Sequence, residues 1–190
     1  YKSSKFILSV SQDISNCVKT AFPFCENKII KVSLSIDRNK LHTKTKKINL
    51  ITYMPRKMPV HSETIIFFLR NYLPRSWKIK KIENLKEDKV YKLLLSSKIF
   101  LSFTQSEGLG MPPIEAAIAG NKVVGYTGEG GKEIWKKPIF TEIHNGDVIN
   151  FVKQIIVSTK KLFKSNPSIQ RKKLIKKFSK ENEKLNLIKM

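Results

Sequence analysis

The stretch from Lys98 to Asn121 constrains this chain more than any other. Lys98-Ile99-Phe100-Leu101-Ser102-Phe103 is an apolar run of strand length and strand composition. It enters a loop with two glycines, Ser106-Glu107-Gly108-Leu109-Gly110, and then Met111-Pro112-Pro113-Ile114-Glu115-Ala116-Ala117-Ile118. The prolines suit the first helical positions, where a missing N–H costs nothing, and Gly120-Asn121 ends the helix. A strand, a glycine loop and a helix are therefore expected in succession. Glu107 falls in the loop and Glu115 in the helix's expected first turn, flanking a helix N-terminus whose free N–H groups attract anions. Without a Cβ, Gly108 and Gly110 would let a phosphate approach the backbone. Carboxylates repel phosphate, so their better use is accepting hydrogen bonds from hydroxyls on either side of it. A nucleotide-sugar offers both, in its ribose and its sugar. The spacing alone is met equally well by a tight turn, a solvated Glu107 and a Glu115 that complements the helix dipole.

Similar alternation runs along the rest of the chain. Strands are predicted at Ile48–Tyr53, Trp77–Ile82, Val123–Tyr126 and Pro138–Glu142. Between and after them come helical patterns over 61–72 (Ile65, Ile66, Phe68, Leu69 and Tyr72 inward), 86–97 (Val90, Leu93, Leu94), 147–163 and 168–185. This predicts an α/β fold with a Rossmann-like, mostly parallel sheet, helices on both faces and ligands at the carboxyl ends of the strands. Arg56, Glu107 and Glu115 all follow strand ends, which puts a phosphate cation and two acceptors on one edge. Residues 1–38 read as strand (6–10), helix (13–22) and strand (28–34), and residues 39–47 as a polar, basic linker.

With those residues in view, the chain resembles the retaining, GT-B-fold glycosyltransferases of "glycosyl transferases group 1". Glu107 and Glu115 have the spacing of the family's E-x7-E signature. Gly120-Asn121-Lys122-Val123-Val124-Gly125-Tyr126 resembles its small-residue turn and next strand, and Gly128-Glu129-Gly130-Gly131-Lys132-Glu133-Ile134 its glycine turn and glutamate. The resemblance implies the C-terminal, donor-binding half of such a fold. Glu107, Gly108, Leu109 and Gly110 would hold the donor sugar and diphosphate, and Glu115 the ribose. Arg56 matches a family arginine on the diphosphate; His61 occupies the position of the accompanying lysine, so Lys57 is the substitute candidate. Around Ile82-Glu83-Asn84-Leu85 the family places its base-binding loop. Residues 1–38 would close the N-terminal acceptor lobe, or else form a first β-α-β element of the same domain. Residues 39–47 would link the lobes, 48–165 would bind the nucleotide-sugar, and 166–190 would return as a basic helix toward the other lobe. The implied chemistry is transfer of a hexose from a nucleoside-diphosphate sugar to the hydroxyl of a carbohydrate or lipid-linked acceptor, in polysaccharide or glycolipid synthesis. The chain starts at Tyr1 and reads as the later part of a longer protein, inactive without its first lobe.

Charge admits other partners. Lys and Arg total 37 against 15 Asp and Glu, a net +22, and only five are Arg (Arg38, Arg56, Arg70, Arg75, Arg171). Such a balance favours anionic partners such as nucleic acid or an acidic membrane surface. A lysine surplus spread over the whole chain is equally a compositional bias, and specific base readers lean on arginine. A non-catalytic nucleotide-sugar module and a basic nucleic-acid- or membrane-binding protein are thus the alternatives. Cys17 and Cys25 match no zinc spacing, and His42, His61 and His144 are scattered, so neither metal nor cofactor is expected. No signal segment is visible, and the expected setting is cytoplasmic, with peripheral contact at the inner face of a membrane. The segment Gly125–Lys132 fails the phosphate-loop pattern because Tyr126 and Glu133 stand where Gly and Ser or Thr are required. No serine or cysteine lies in an activating motif.

Overall fold

The computed structural model describes residues 1–41 and 45–188. Three of the nine residues assigned to the linker, 42–44, lie outside that range. β1 (Ile7–Ser9), α1 (Gln12–Ala21) and β2 (Ile29–Lys31) build a small parallel pair of their own. Both strands are shorter than the sequence suggests. A 3-10 helix over Pro23–Lys28 takes the start of the second, because Pro23 fixes φ and removes an N–H at that point.

The main sheet contains β3 (Ile48–Tyr53), β4 (Lys78–Lys81), β5 (Ser97–Ser102), β6 (Lys122–Gly125) and β7 (Phe140–Glu142), all parallel, in the order β4-β3-β5-β6-β7. Parallel neighbours need long crossovers, and α2 (Pro59–Arg70), α3 (Glu87–Ser96) and α4 (Met111–Ile118) supply three of them. After β7 come α5 (Val148–Lys160), α6 (Ser168–Lys177) and α7 (Lys180–Ile188). This is the expected α/β architecture with helices on both faces.

Alternation along β5 and β6 divides the core. Phe100 and Val123 face one layer, with Leu94, Ile114, Ala117, Leu174 and Phe178. Ile99, Leu101 and Val124 face the other, with Ile65, Leu69, Phe151 and Ile155. Each of these side chains except the small Ala117 stabilises the fold by roughly 1.5–3 kcal/mol relative to exposure, which fixes the sheet's register.

Several expectations are corrected. Phe68 is 43% and Tyr72 67% exposed, not inward. The buried stripe of α2 is Ser62, Ile65, Ile66 and Leu69, at i, i+3, i+4 and i+7; Phe68 lies off that stripe, and Tyr72 lies beyond the helix end. On α3, Tyr91, Leu94 and Leu95 are buried, while Val90 and Leu93 are only partly so. The final helix is two helices. Phe178 turns into the core at 1% exposure, and Ser179 caps α7 by accepting from the Asn182 N–H at 3.1 Å. The apolar stripe of α6 packs on the domain, and the Phe178 carbonyl accepts from the Ile36 N–H. The described part of the linker is not wholly solvated either. Leu41 is buried, and the Lys47 ammonium donates to the Leu94 carbonyl and the Asn121 side chain. Burial, with the Arg171 charge nearby, pulls its pKa down to about 7.

Candidate functional site

The carboxyl ends of β3 and β5 lie side by side, so the loops that follow them meet. One cleft there is lined by Met54, Arg56, Lys57, Ser102, Phe103, Thr104, Glu107, Pro112 and Pro113. Arg56, Lys57 and Glu107 thus share a site although they are separated by up to 51 positions in the chain (107 − 56 = 51). The Lys57 ammonium lies 3.2 Å from Glu107 Oε1, while Arg56 makes no ion pair among the described residues. An exposed guanidinium free of any carboxylate is available to an incoming anion.

Backbone bonds position Glu107. Its N–H donates to the Gly128 carbonyl at 2.9 Å, and its carbonyl accepts from the Gly130 N–H at 3.2 Å. This short parallel bridge brings the two loops so close that a Cβ on Gly130 would fall 2.0 Å from the Gly108 carbonyl oxygen. Only glycine fits. Gly110, at φ +73°, precedes α4 in the left-handed region. The N–H groups of Gly108, Leu109 and Gly110 donate to no protein group among the described residues. The Leu109 side chain itself is buried in the core, so that residue offers a ligand only its backbone.

Three local expectations change. Pro112 and Pro113 occupy the second and third helical positions, leaving Met111 as the one donor before Ile114, so α4 is not a helix start rich in amides. The anion-attracting donors belong to the loop instead. Glu115 is the fifth helical residue, outside the first turn. A Cβ on Gly108 would meet Val10 Cγ2 at 3.2 Å and Ile14 Cγ1 at 3.4 Å, so the group approaching that glycine is the β1–α1 unit.

Glu115 does not line the cleft. It points toward α3, where the Tyr91 hydroxyl lies 3.4 Å from its Oε1 and 3.2 Å from Glu87 Oε1. Burial raises the Glu115 pKa, the Tyr91 hydrogen bond opposes the shift and the Glu87 charge adds to it. The prolines of α4 withhold amides that would favour the ionised carboxyl, and desolvation prevails. Lys40 joins the same cluster through an ion pair with Glu87.

His61 is engaged elsewhere. Its Nε2 is 2.5 Å from the Tyr126 hydroxyl, and its ring meets Phe103 edge-on. Tyr91, Thr104 and Tyr126 are neighbours of the site that sequence reasoning missed. Tyr91 carried a signal, standing four residues after Glu87 on a helix face. Thr104 carried none; its buried Oγ1 has no hydrogen-bond partner among the described residues. Among the described residues no group of three or more His, Cys, Asp or Glu is placed to hold a metal ion.

Solved structures share this arrangement of strands and helices. TarM of S. aureus, described in complex with Fondaparinux, alpha-GlcNAc-glycerol and UDP, superposes with a TM-score of 0.71 over 99% of this chain and 44% of its own, at 15% identity. A glycosyltransferase from Rickettsia africae gives 0.70 over 97% of this chain and 62% of its own, at 15% identity. The fold is a glycosyltransferase fold. The pneumococcal O-GlcNAc transferase GtfA, described with UDP and GlcNAc, gives 0.65 at 12% identity over 99% of this chain and 44% of its own. A curated relative, an alpha-1,6-glucosyltransferase of Actinobacillus pleuropneumoniae, is 25% identical over 109 residues, which are 56% of this chain and 30% of the relative. The chain therefore spans less than two thirds of each of these proteins. No family model matches it.

Proposed function

We propose that this chain is the donor-binding, C-terminal half of a retaining glycosyltransferase, transferring a hexose from a nucleoside-diphosphate sugar to an acceptor hydroxyl. The observation that carries the reading is the cleft itself, where Arg56, which makes no ion pair among the described residues, and the Lys57–Glu107 pair gather at the sheet's carboxyl edge, with the loop 108–110 following Glu107 directly. Arg56 and the loop N–H groups would stabilise charge developing on the departing diphosphate. Glu107 would position the sugar, releasing Lys57 to the phosphates as it does so. Glu115, deeper and beside Tyr91, would accept from the ribose. That TarM and GtfA are described with UDP supports a nucleotide in this cleft. In this reading residues 1–38 end the acceptor lobe, 39–47 link the lobes and 166–190 return across them. Polysaccharide or glycolipid synthesis in the cytoplasm, with an anionic membrane surface as accessory contact, agrees with the lysine excess.

Arg56→Ala tests the reading directly. Calorimetry should show a loss confined to nucleoside diphosphates, with the free nucleoside bound as before. Equal losses for both would place Arg56 outside the phosphate site.

A further inference from the structure

A large cavity lies away from this cleft, along the outer edge of β7. It encloses about 890 Å³ between β7, the segment around Trp135–Pro138, α5 and the residues that follow α5. Its two ends differ in charge. At the start of β6 and β7 it is lined by Lys122, Lys137, Lys161 and Lys164; at the strand carboxyl end by Glu142, His144 and Asp147.

Lys122 is the unusual member. Only 6% of the residue is exposed, and its ammonium has one acceptor among the described residues, the Pro138 carbonyl at 2.6 Å. The charges that act on it are Lys164 and Lys137, both of the same sign, and burial with those charges pulls its pKa down to about 8. A buried ammonium with two protons unassigned and like charges beside it is costly unless an anion joins it. Asn150, Gln154 and Ser158 follow along one face of α5 at intervals of four and line the same cavity, the Gln154 amide donating to Asn150 Oδ1 at 3.3 Å and the Ser158 hydroxyl to the Gln154 carbonyl at 2.8 Å, with Trp135 and Phe140 in its wall. Amide, hydroxyl and aromatic groups around a cationic end suit a polyhydroxylated molecule that carries an oxyanion.

We infer that the cavity beside β7 is a second binding site, for a phosphate group carried on a sugar or polyol, with Lys122, Lys137 and Lys164 holding the phosphate. Arg56, Lys57 and Glu107 take no part in it, so the site stands or falls independently of the nucleotide cleft.

The test is calorimetry of the whole chain against glucose 1-phosphate, inorganic phosphate, glucose and vesicles containing phosphatidic acid. Glucose 1-phosphate should bind, glucose should not, and binding should survive Arg56→Ala. Lys164→Met, an exposed change that leaves the fold intact, should weaken it by roughly tenfold, as expected for one lost charge-assisted contact, and Lys122→Met should do so at least as strongly. Vesicle binding that is lost in both variants while soluble phosphates fail would assign the phosphate to a lipid headgroup. Binding that is unchanged in Lys164→Met and Lys122→Met, or that falls equally with the distant Lys5→Met, would overturn the site.

Discussion

Glu115 shows how far a residue's chemistry can be read without its surroundings. Its place in a pattern of two glutamates was legible; its titration was not, because it is set by burial in the folded chain and opposed by the hydroxyl of Tyr91, which donates to it from another helix 24 positions away. Its raised pKa has two consequences. The carboxyl adds stability below its ordinary pKa of about 4.5, and that contribution is lost as pH rises through the raised folded value. Nucleoside affinity should move the other way, increasing with pH as the carboxylate forms, which titration calorimetry across the acidic range would detect. Tyr91→Phe should shift that profile to higher pH, because the hydroxyl favours the ionised form; an unmoved profile would remove Tyr91 from the account. Glu115→Ala should cost about 1–3 kcal/mol of nucleoside-diphosphate affinity through lost charge-assisted hydrogen bonds. Arg56 and Glu107 were easier to place, since each follows a predicted strand end and parallel strands deliver their ends to one edge.

Between elements, Glu133 is the joint. Its carboxylate meets Lys31 of β2 at 2.8 Å, Lys177 of α6 at 2.9 Å and the Gln12 N–H of α1 at 3.1 Å. Burial opposes its ionisation, but these partners together hold its pKa at about 2. A depressed carboxyl contributes stability above about 4.5 and loses it as pH falls toward 2. Glu133→Gln should therefore lower the melting temperature at neutral pH by the equivalent of about 1–2 kcal/mol, after allowance for solvent screening, and flatten the acid limb of the stability curve. Parallel acid limbs for the two proteins would contradict this. Elsewhere element boundaries followed local signals unevenly. Asn166-Pro167 announced the end of a helix, whereas the break between α6 and α7 was hidden by a continuous basic pattern, although Ser179 ahead of Glu181 and Glu183 is a capping signal. Phe68 and Tyr72 were misplaced because apolar character was read without its helical phase.

Across the whole molecule, the alternation of strands and helices sufficed for the architecture, since parallel strands joined by helices admit few arrangements. Alternation did not say whether the first two strands join the main sheet. They form a separate pair, tied to it through Val10, Ile14 and Glu133, contacts between distant segments that no local pattern records. Nor did it reveal the cavity beside β7, which needs the fold to bring Lys122, Lys137 and Lys164 together. A net charge of +22 means that most cations lack a carboxylate, so the folded chain repels itself and its melting temperature should rise with moderate salt. Salt also separates the two ways in which such a chain meets anions. The central claim is a nucleotide-specific cleft, and it is tested most directly by calorimetry against UDP, GDP and ADP and their sugar conjugates at low and high salt. The account predicts that one base is preferred, that binding persists in high salt and that Glu115→Ala weakens it. Equal binding of all polyanions, abolished by salt and indifferent to Glu115→Ala, would contradict it.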